Sequence, residues 1–174
     1  MSNQDKNQLV ESQLIDLASD RPELYQAAYT WFTQQGPAIT SALVQGLDNE
    51  YLGSVGHWRI LLLLQHFAQK ETLPAILKTL QRALSRRNNV VIPAAMEAIT
   101  VFHTPVVTNT LIDLLQDNDL DIVKQAAVLL GKTDDLNAIE PLLNLLGSND
   151  PTIRYRAVRG LSQLNYPLAQ EALK

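Results

Sequence analysis

Two stretches decide the fold: Leu111-Ile-Asp-Leu-Leu-Gln-Asp-Asn-Asp-Leu-Asp-Ile-Val-Lys-Gln-Ala-Ala-Val-Leu-Leu-Gly131 and Leu142-Leu-Asn-Leu-Leu-Gly-Ser-Asn-Asp-Pro-Thr-Ile-Arg-Tyr-Arg-Ala-Val-Arg-Gly-Leu-Ser162. They align without a gap at an offset of 31 residues. Carried outward, the same offset places Leu80, Leu111, Leu142 and Leu173 in one column and Leu84, Leu115 and Leu146 in another. Val91, Ile122 and Ile153 follow, then Ala95, Ala126 and Ala157, then Ile99, Leu130 and Leu161. Each column holds one size class of side chain, and such self-similarity at a period of tens of residues marks a repeat architecture. Within a unit the columns fall four residues apart, as in Ile122, Ala126 and Leu130, which is a helical stripe and not a strand alternation. Asn88, Asp119 and Asp150 share a column between the two stripes of each unit, where a short side-chain acceptor can satisfy the unpaired N–H groups that open a second helix. Pro151, directly after Asp150, suits the first helical position.

Each unit is therefore a pair of helices, and the alanine column sits where a small side chain lets two helix backbones approach. One such pair cannot bury its apolar stripe alone, so neighbouring pairs must stack on it. The expected fold is all-α: an α-solenoid, a right-handed superhelix of stacked antiparallel helical hairpins. The periodicity predicts helices over 5–18, 21–35, 37–47, 56–69, 72–86, 90–102, 105–116, 120–131, 136–146, 151–164 and 167–174, and no strand. Pro22, Pro37, Pro105, Pro151 and Pro167 stand at helix starts, whereas Pro141 lies deeper and is expected to kink its helix. The organisation expected is one repeat domain over 1–174. It comprises an atypical N-terminal cap over 1–47, an inter-helix insertion over 48–56, and regular repeats over 57–174, of which the last is incomplete. Ile60, Leu64 and Ala68 fit the second-helix columns one unit earlier.

The stretch from Asp134 to Leu161 resembles the short HEAT-like repeat associated with phycobilin lyases, and the resemblance extends over Leu73 to Lys174. It implies three activities to weigh: bilin lyase subunits that hold a pigment and a phycobiliprotein, helical hydroxylases that bind two irons through His-Glu pairs, and members that only bind protein. The hydroxylase pattern is missing, because His57 precedes Trp58, His66 precedes Phe67 and His103 precedes Thr104. His57 and His66 are nine residues apart, half a turn out of phase on a continuous helix, so no metal site is expected.

Composition narrows the rest. With 46% apolar and 18% charged residues the chain has the material for a core, unlike a disordered segment. Its longest aliphatic run, Ile60 to Leu64, is too short for a membrane span, and no apolar leader opens it, so no membrane insertion and a cytoplasmic location are expected. No cysteine is present, which excludes disulfides and thiolate chemistry. A net charge of -4 disfavours binding to nucleic acid, which needs a basic excess. There is no Gly-x-Ser-x-Gly elbow and no phosphate-cradling glycine loop, and no catalytic residue is assigned.

Charge is unevenly spread. Asp113 to Glu140 holds seven carboxylates against Lys124 and Lys132, and the carboxylates read first as caps and solvated turns. Basic flanks adjoin it: a patch of Lys78, Arg82, Arg86 and Arg87 along one helix, and Arg154, Arg156 and Arg159 further on. The insertion is the best candidate for specificity, since Leu47 to Ile60 spans thirteen positions where Leu115 to Ile122 spans seven. Such insertions map to loops on one edge of a solenoid, and Tyr51, His57 and Trp58 could anchor a partner there. The competing structural reading packs Trp58 beneath the N-terminal cap with His57 opening the next helix. Tyr25, Tyr29 and Phe32 read as a core stripe, with Trp31 as the exposed ring. Lys124, Val128, Tyr155 and Arg159 fall opposite the core columns and form a second candidate partner-binding stripe.

The function expected from these readings is a noncatalytic protein-protein interaction scaffold without a cofactor. The resemblance implies the alternative, a phycobiliprotein-related factor: a bilin lyase subunit acting with a partner and holding bilin noncovalently, or a chaperone for antenna assembly or breakdown. The expected partner is another protein, with a phycobiliprotein or a second HEAT-repeat protein implied by the resemblance. The incomplete last unit also suggests end-to-end association.

Overall fold

The computed structural model of the chain describes residues 3–164, and all its regular structure there is helical. Cα packing divides it into two compact units, Met1–Ile99 and Thr100–Lys174. The helix expected over 167–174, with Leu173 in the first column, lies outside the described residues. Among the described residues no helix is long and apolar enough to cross a membrane.

The first unit contains α1 (Asn3–Ala18), α2 (Pro22–Gln35), α3 (Thr40–Leu47), α4 (Gly53–Phe67), α5 (Leu73–Ser85) and α6 (Val91–Ile99). Its centre is α4, whose Ile60, Leu61, Leu63 and Leu64 are all fully buried. α4 packs on its hairpin partner α3, on α1, and most extensively on α6, which in turn pairs with α5. The second unit contains α7 (Pro105–Leu114), α8 (Leu120–Leu130), α9 (Ile139–Leu145) and α10 (Pro151–Gln163). α7 pairs with α8, α9 with α10, and the second helices α8 and α10 make the most extensive packing in the unit. In both units, then, second helices of successive pairs lie against one another.

Among the described residues, four of the five 31-residue columns are core throughout, while in the Leu84, Leu115 and Leu146 column only Leu115 is buried and the other two are half-buried. Leu80, Leu111 and Leu142 are buried, as are Val91, Ile122 and Ile153, and Ala95, Ala126 and Ala157 have no exposed surface at all. Asn88 Oδ1 accepts from the Val90 and Val91 N–H groups, Asp119 Oδ1 from Asp121 N–H, and Asp150 Oδ1 from Thr152 and Ile153 N–H. The capping column thus closes the open N-terminus of α6, α8 and α10 in the same way. Where α8 meets α10 even alanine is too large: a Cβ added at Gly131 would fall 2.5 Å from Gly160 O, and one added at Gly160 would meet Ala127 O.

Four expectations need correction. The insertion over 48–56 is not a free loop: Glu50–Leu52 forms a 3-10 turn, and α4 already begins at Gly53. Pro141 does not kink a helix, because Leu136–Ala138 is a separate 3-10 turn and α9 starts at Ile139, leaving Pro141 in the first turn where no N–H is needed. Ala68 does not continue the core column: it ends α4 in a left-handed conformation (φ 48°) and is exposed. Trp31 is half-buried, its ring standing edge-on to buried Phe32 at 5.0 Å, while Tyr25 and Tyr29 are themselves only half-buried.

Candidate functional site

The six surplus residues between α3 and α4 build the most elaborate polar feature in the first unit. α3 ends at Leu47, and Asn49 Oδ1 accepts from Tyr51 N–H at 3.1 Å, which nucleates the 3-10 turn. Gly53 leaves that turn at φ 61°, a left-handed conformation that glycine adopts without strain. His57, on the first turns of α4, donates through Nε2–H to Asn49 O at 3.0 Å, closing the turn back on the helix.

α5 supplies the outer clasp. Lys78 Nζ reaches both oxygens of Asp48 at 3.0 and 3.1 Å, and Arg82 Nη1 reaches Asp48 Oδ1 at 3.1 Å. Arg82 Nη2 also donates to Leu47 O, capping the last turn of α3. Arg86 Nη2 binds Glu50 Oε1 at 2.8 Å, and Asn88 Nδ2 donates to Ser54 Oγ at 2.8 Å. The i, i+4, i+8 spacing of Lys78, Arg82 and Arg86 puts three cations in line on one helix face, where the insertion meets them with two carboxylates and the end of α3 with a carbonyl. Arg87, next in sequence, stands at φ 50° just past the helix end.

The electrostatics follow from these partners. The hydrogen bond from Lys78, with that from Arg82 and against some desolvation, holds the Asp48 carboxyl below its usual range. Arg86 does the same for Glu50. Burial pushes the His57 imidazole below its ordinary 6.5, opposed by its bond to Asn49 O, so the ring is neutral near pH 7. Most of these ion pairs are solvent-exposed and each contributes little alone. Arg82, whose side chain is only 23% exposed, is the better-shielded member and adds a carbonyl bond.

Most of the basic patch and the insertion, separate candidates in the sequence, are therefore one structure, with Lys78, Arg82 and Arg86 engaged by Asp48 and Glu50. What this structure offers outward is aromatic: Tyr51 is wholly exposed and Trp58, on α4, keeps 37% of its surface in solvent.

The second stripe is uneven. Tyr155, 59% exposed, and Arg159 stand out from α10, but Lys124 and Val128 on α8 are half-buried. Lys124 Nζ lies 3.4 Å from Asp121 and 4.0 Å from Asp150, the cap of α10, because the packing of α10 on α8 brings that cap over it. An open groove of about 500 Å³ in the same unit is lined by His103, Thr133, Asp134 and Leu136 among others. In it, His103 Nδ1 lies 3.9 Å from Asp134 Oδ2. Another groove, of about 330 Å³, runs between α1 and α3. Among the described residues no cluster of three or more His, Asp or Glu side chains could hold a metal ion.

Arg59 went unnoticed in the sequence. Its Nη1 donates to Leu17 O and Ser19 O, both at 2.7 Å, and its guanidinium lies 3.9 Å from the centre of the Tyr25 ring. One side chain of α4 thereby ties down the end of α1 and the face of α2. Nothing local marks it, since its acceptors lie about forty residues away.

No protein-family model matches the chain, and no curated protein matches it at a significant level.

Proposed function

We propose that this chain is a noncatalytic protein-binding scaffold, a right-handed superhelix of stacked HEAT-like hairpins that docks a partner through the turn between α3 and α4. The repeated burial of the leucine, isoleucine and alanine columns supports the stacking, as does the packing of α4 on α6 and of α8 on α10. The observation that carries the docking assignment is Tyr51. A large ring left wholly in water, on a turn held by bonds from Asn49, His57, Lys78, Arg82 and Arg86, is a pre-ordered anchor. Interfaces draw most of their energy from a few aromatic residues, and a turn already fixed in place loses little further entropy on binding. Asp48 and Glu50 are ionised and tied to cations, which suits them to holding this turn and not to proton transfer.

The test is affinity capture from the source organism's extract with three proteins: the unaltered chain, Tyr51→Ala with Trp58→Ala, and Tyr155→Ala with Arg159→Ala. The repeat's resemblance to the phycobilin lyase type makes phycobiliproteins the first partners to examine. Loss of a captured partner with the first double variant alone supports the assignment. Loss with the second alone moves the site to α10.

A further inference from the structure

The first and last described helices carry complementary outward faces. On α1, Ile15 is 65% exposed, and Glu11 and Asp16 flank it one turn before it and directly after it. Along its length α1 has three carboxylates, Asp5, Glu11 and Asp16, against the single cation Lys6. On α10, Tyr155 is 59% and Val158 39% exposed, three residues apart on one face. Arg154 lies one turn before Val158 and Arg159 one turn after Tyr155. α10 contains three arginines and no carboxylate. Arg154 is oriented by bonds to Ser148 O at 2.8 Å and Asn149 O at 3.2 Å.

We infer that these faces bind one another between two copies of this chain, α10 of one copy against α1 of the next. Pairing α10 with α1 brings Tyr155 and Val158 onto Ile15, with Arg154 and Arg159 facing Glu11 and Asp16. Pairing α10 with α10, or α1 with α1, sets like charges together, which opposes a two-fold symmetric contact. The contact is therefore heterologous: each copy uses one face and leaves the other unused, so association continues until it closes or the chain supply runs out. A single helix laid on another buries less than a standard interface, so the association is weak and sensitive to salt.

The test is sedimentation velocity of the 174-residue chain over a concentration series to about 200 μM, at about 50 mM and about 500 mM salt. The expected result is a rising sedimentation coefficient at low salt that high salt suppresses. Two variants decide the geometry. Ile15→Asp damages only the α1 face and Val158→Asp only the α10 face, and each alone should self-associate at least about tenfold more weakly. Mixed together they should form a one-to-one dimer and nothing larger, because one intact face remains on each. Ile15→Ser and Val158→Ser, checked by circular dichroism, serve if an aspartate variant unfolds. An unaltered chain that stays monomeric throughout overturns the inference. So does an Ile15→Asp protein that associates as well as the unaltered one, or a mixture that behaves as the sum of its parts.

Discussion

Replacing Gly160 with alanine probes the contact that sets the spacing of two helix pairs. The added Cβ would overlap Ala127 O and lie 3.1 Å from both methyl carbons of Leu142. Leu142 can give by a few tenths of an ångström, but Ala127 O is backbone in the middle of α8 and can yield only if α8 and α10 move apart. Overpacking of this kind costs about 1 to 3 kcal/mol, and the backbone clash places it at the upper end. Alanine's better helix propensity returns about 1 kcal/mol, leaving a net loss of about 2 kcal/mol. In a chain of this size that lowers the melting temperature by about 4 to 8 °C, read by circular dichroism at 222 nm. Gly147→Ala is the control, because its added Cβ would meet Asn144 O at an ordinary 3.5 Å. A Gly160→Ala protein as stable as the unaltered chain would refute close backbone packing between α8 and α10.

Three further outcomes are expected. Arg59→Ala should lose about 2 to 3 kcal/mol, through two carbonyl bonds and the Tyr25 contact; Arg59→Lys should not restore it, since an ammonium cannot both fork and stack, and thermal melts of both variants check this. Asn88→Ala should cost about 1 kcal/mol by uncapping α6, measured by urea titration. Acidification should weaken the α3–α4 junction in two steps: His57 resists protonation when folded, so stability falls as pH drops below 6.5, and the stability that Asp48 and Glu50 contribute in their ionised form is lost as they take up protons below 3.8 and 4.5. Melting curves at about pH 7.5, 5.5 and 3.5 follow both steps, and His57→Gln should abolish the first alone.

The parts of this fold legible in the sequence are those written in short-range spacing. Leu111, Ile122 and Ala126 announce their burial because the same size of side chain returns 31 residues later, and Asp119 announces a cap because it stands just before the next apolar stripe. Pro141 misled because a 3-10 turn can take up the residues before a helix and reset its start. The candidate site was half visible. Its aromatic residues and its basic helix could each be picked out, but their union depends on Asp48 and Glu50 meeting side chains thirty or more residues away, which no local period encodes. Arg59 was hidden for the same reason: its acceptors are main-chain carbonyls of α1, and a carbonyl has no signature in sequence.

The proposed function rests on the 31-residue period being a period in space, one hairpin stacked on the next. Gln116 and Gly147, both in the second unit, are equivalent exposed positions one period apart, and the chain has no cysteine of its own, so the paired cysteine variant can be labelled cleanly. The distance between the two labels, by electron spin resonance, should be about 10 Å between Cα atoms, the spacing of neighbouring packed helices. A distance beyond about 20 Å, as for hairpins that do not stack on one another, would contradict it.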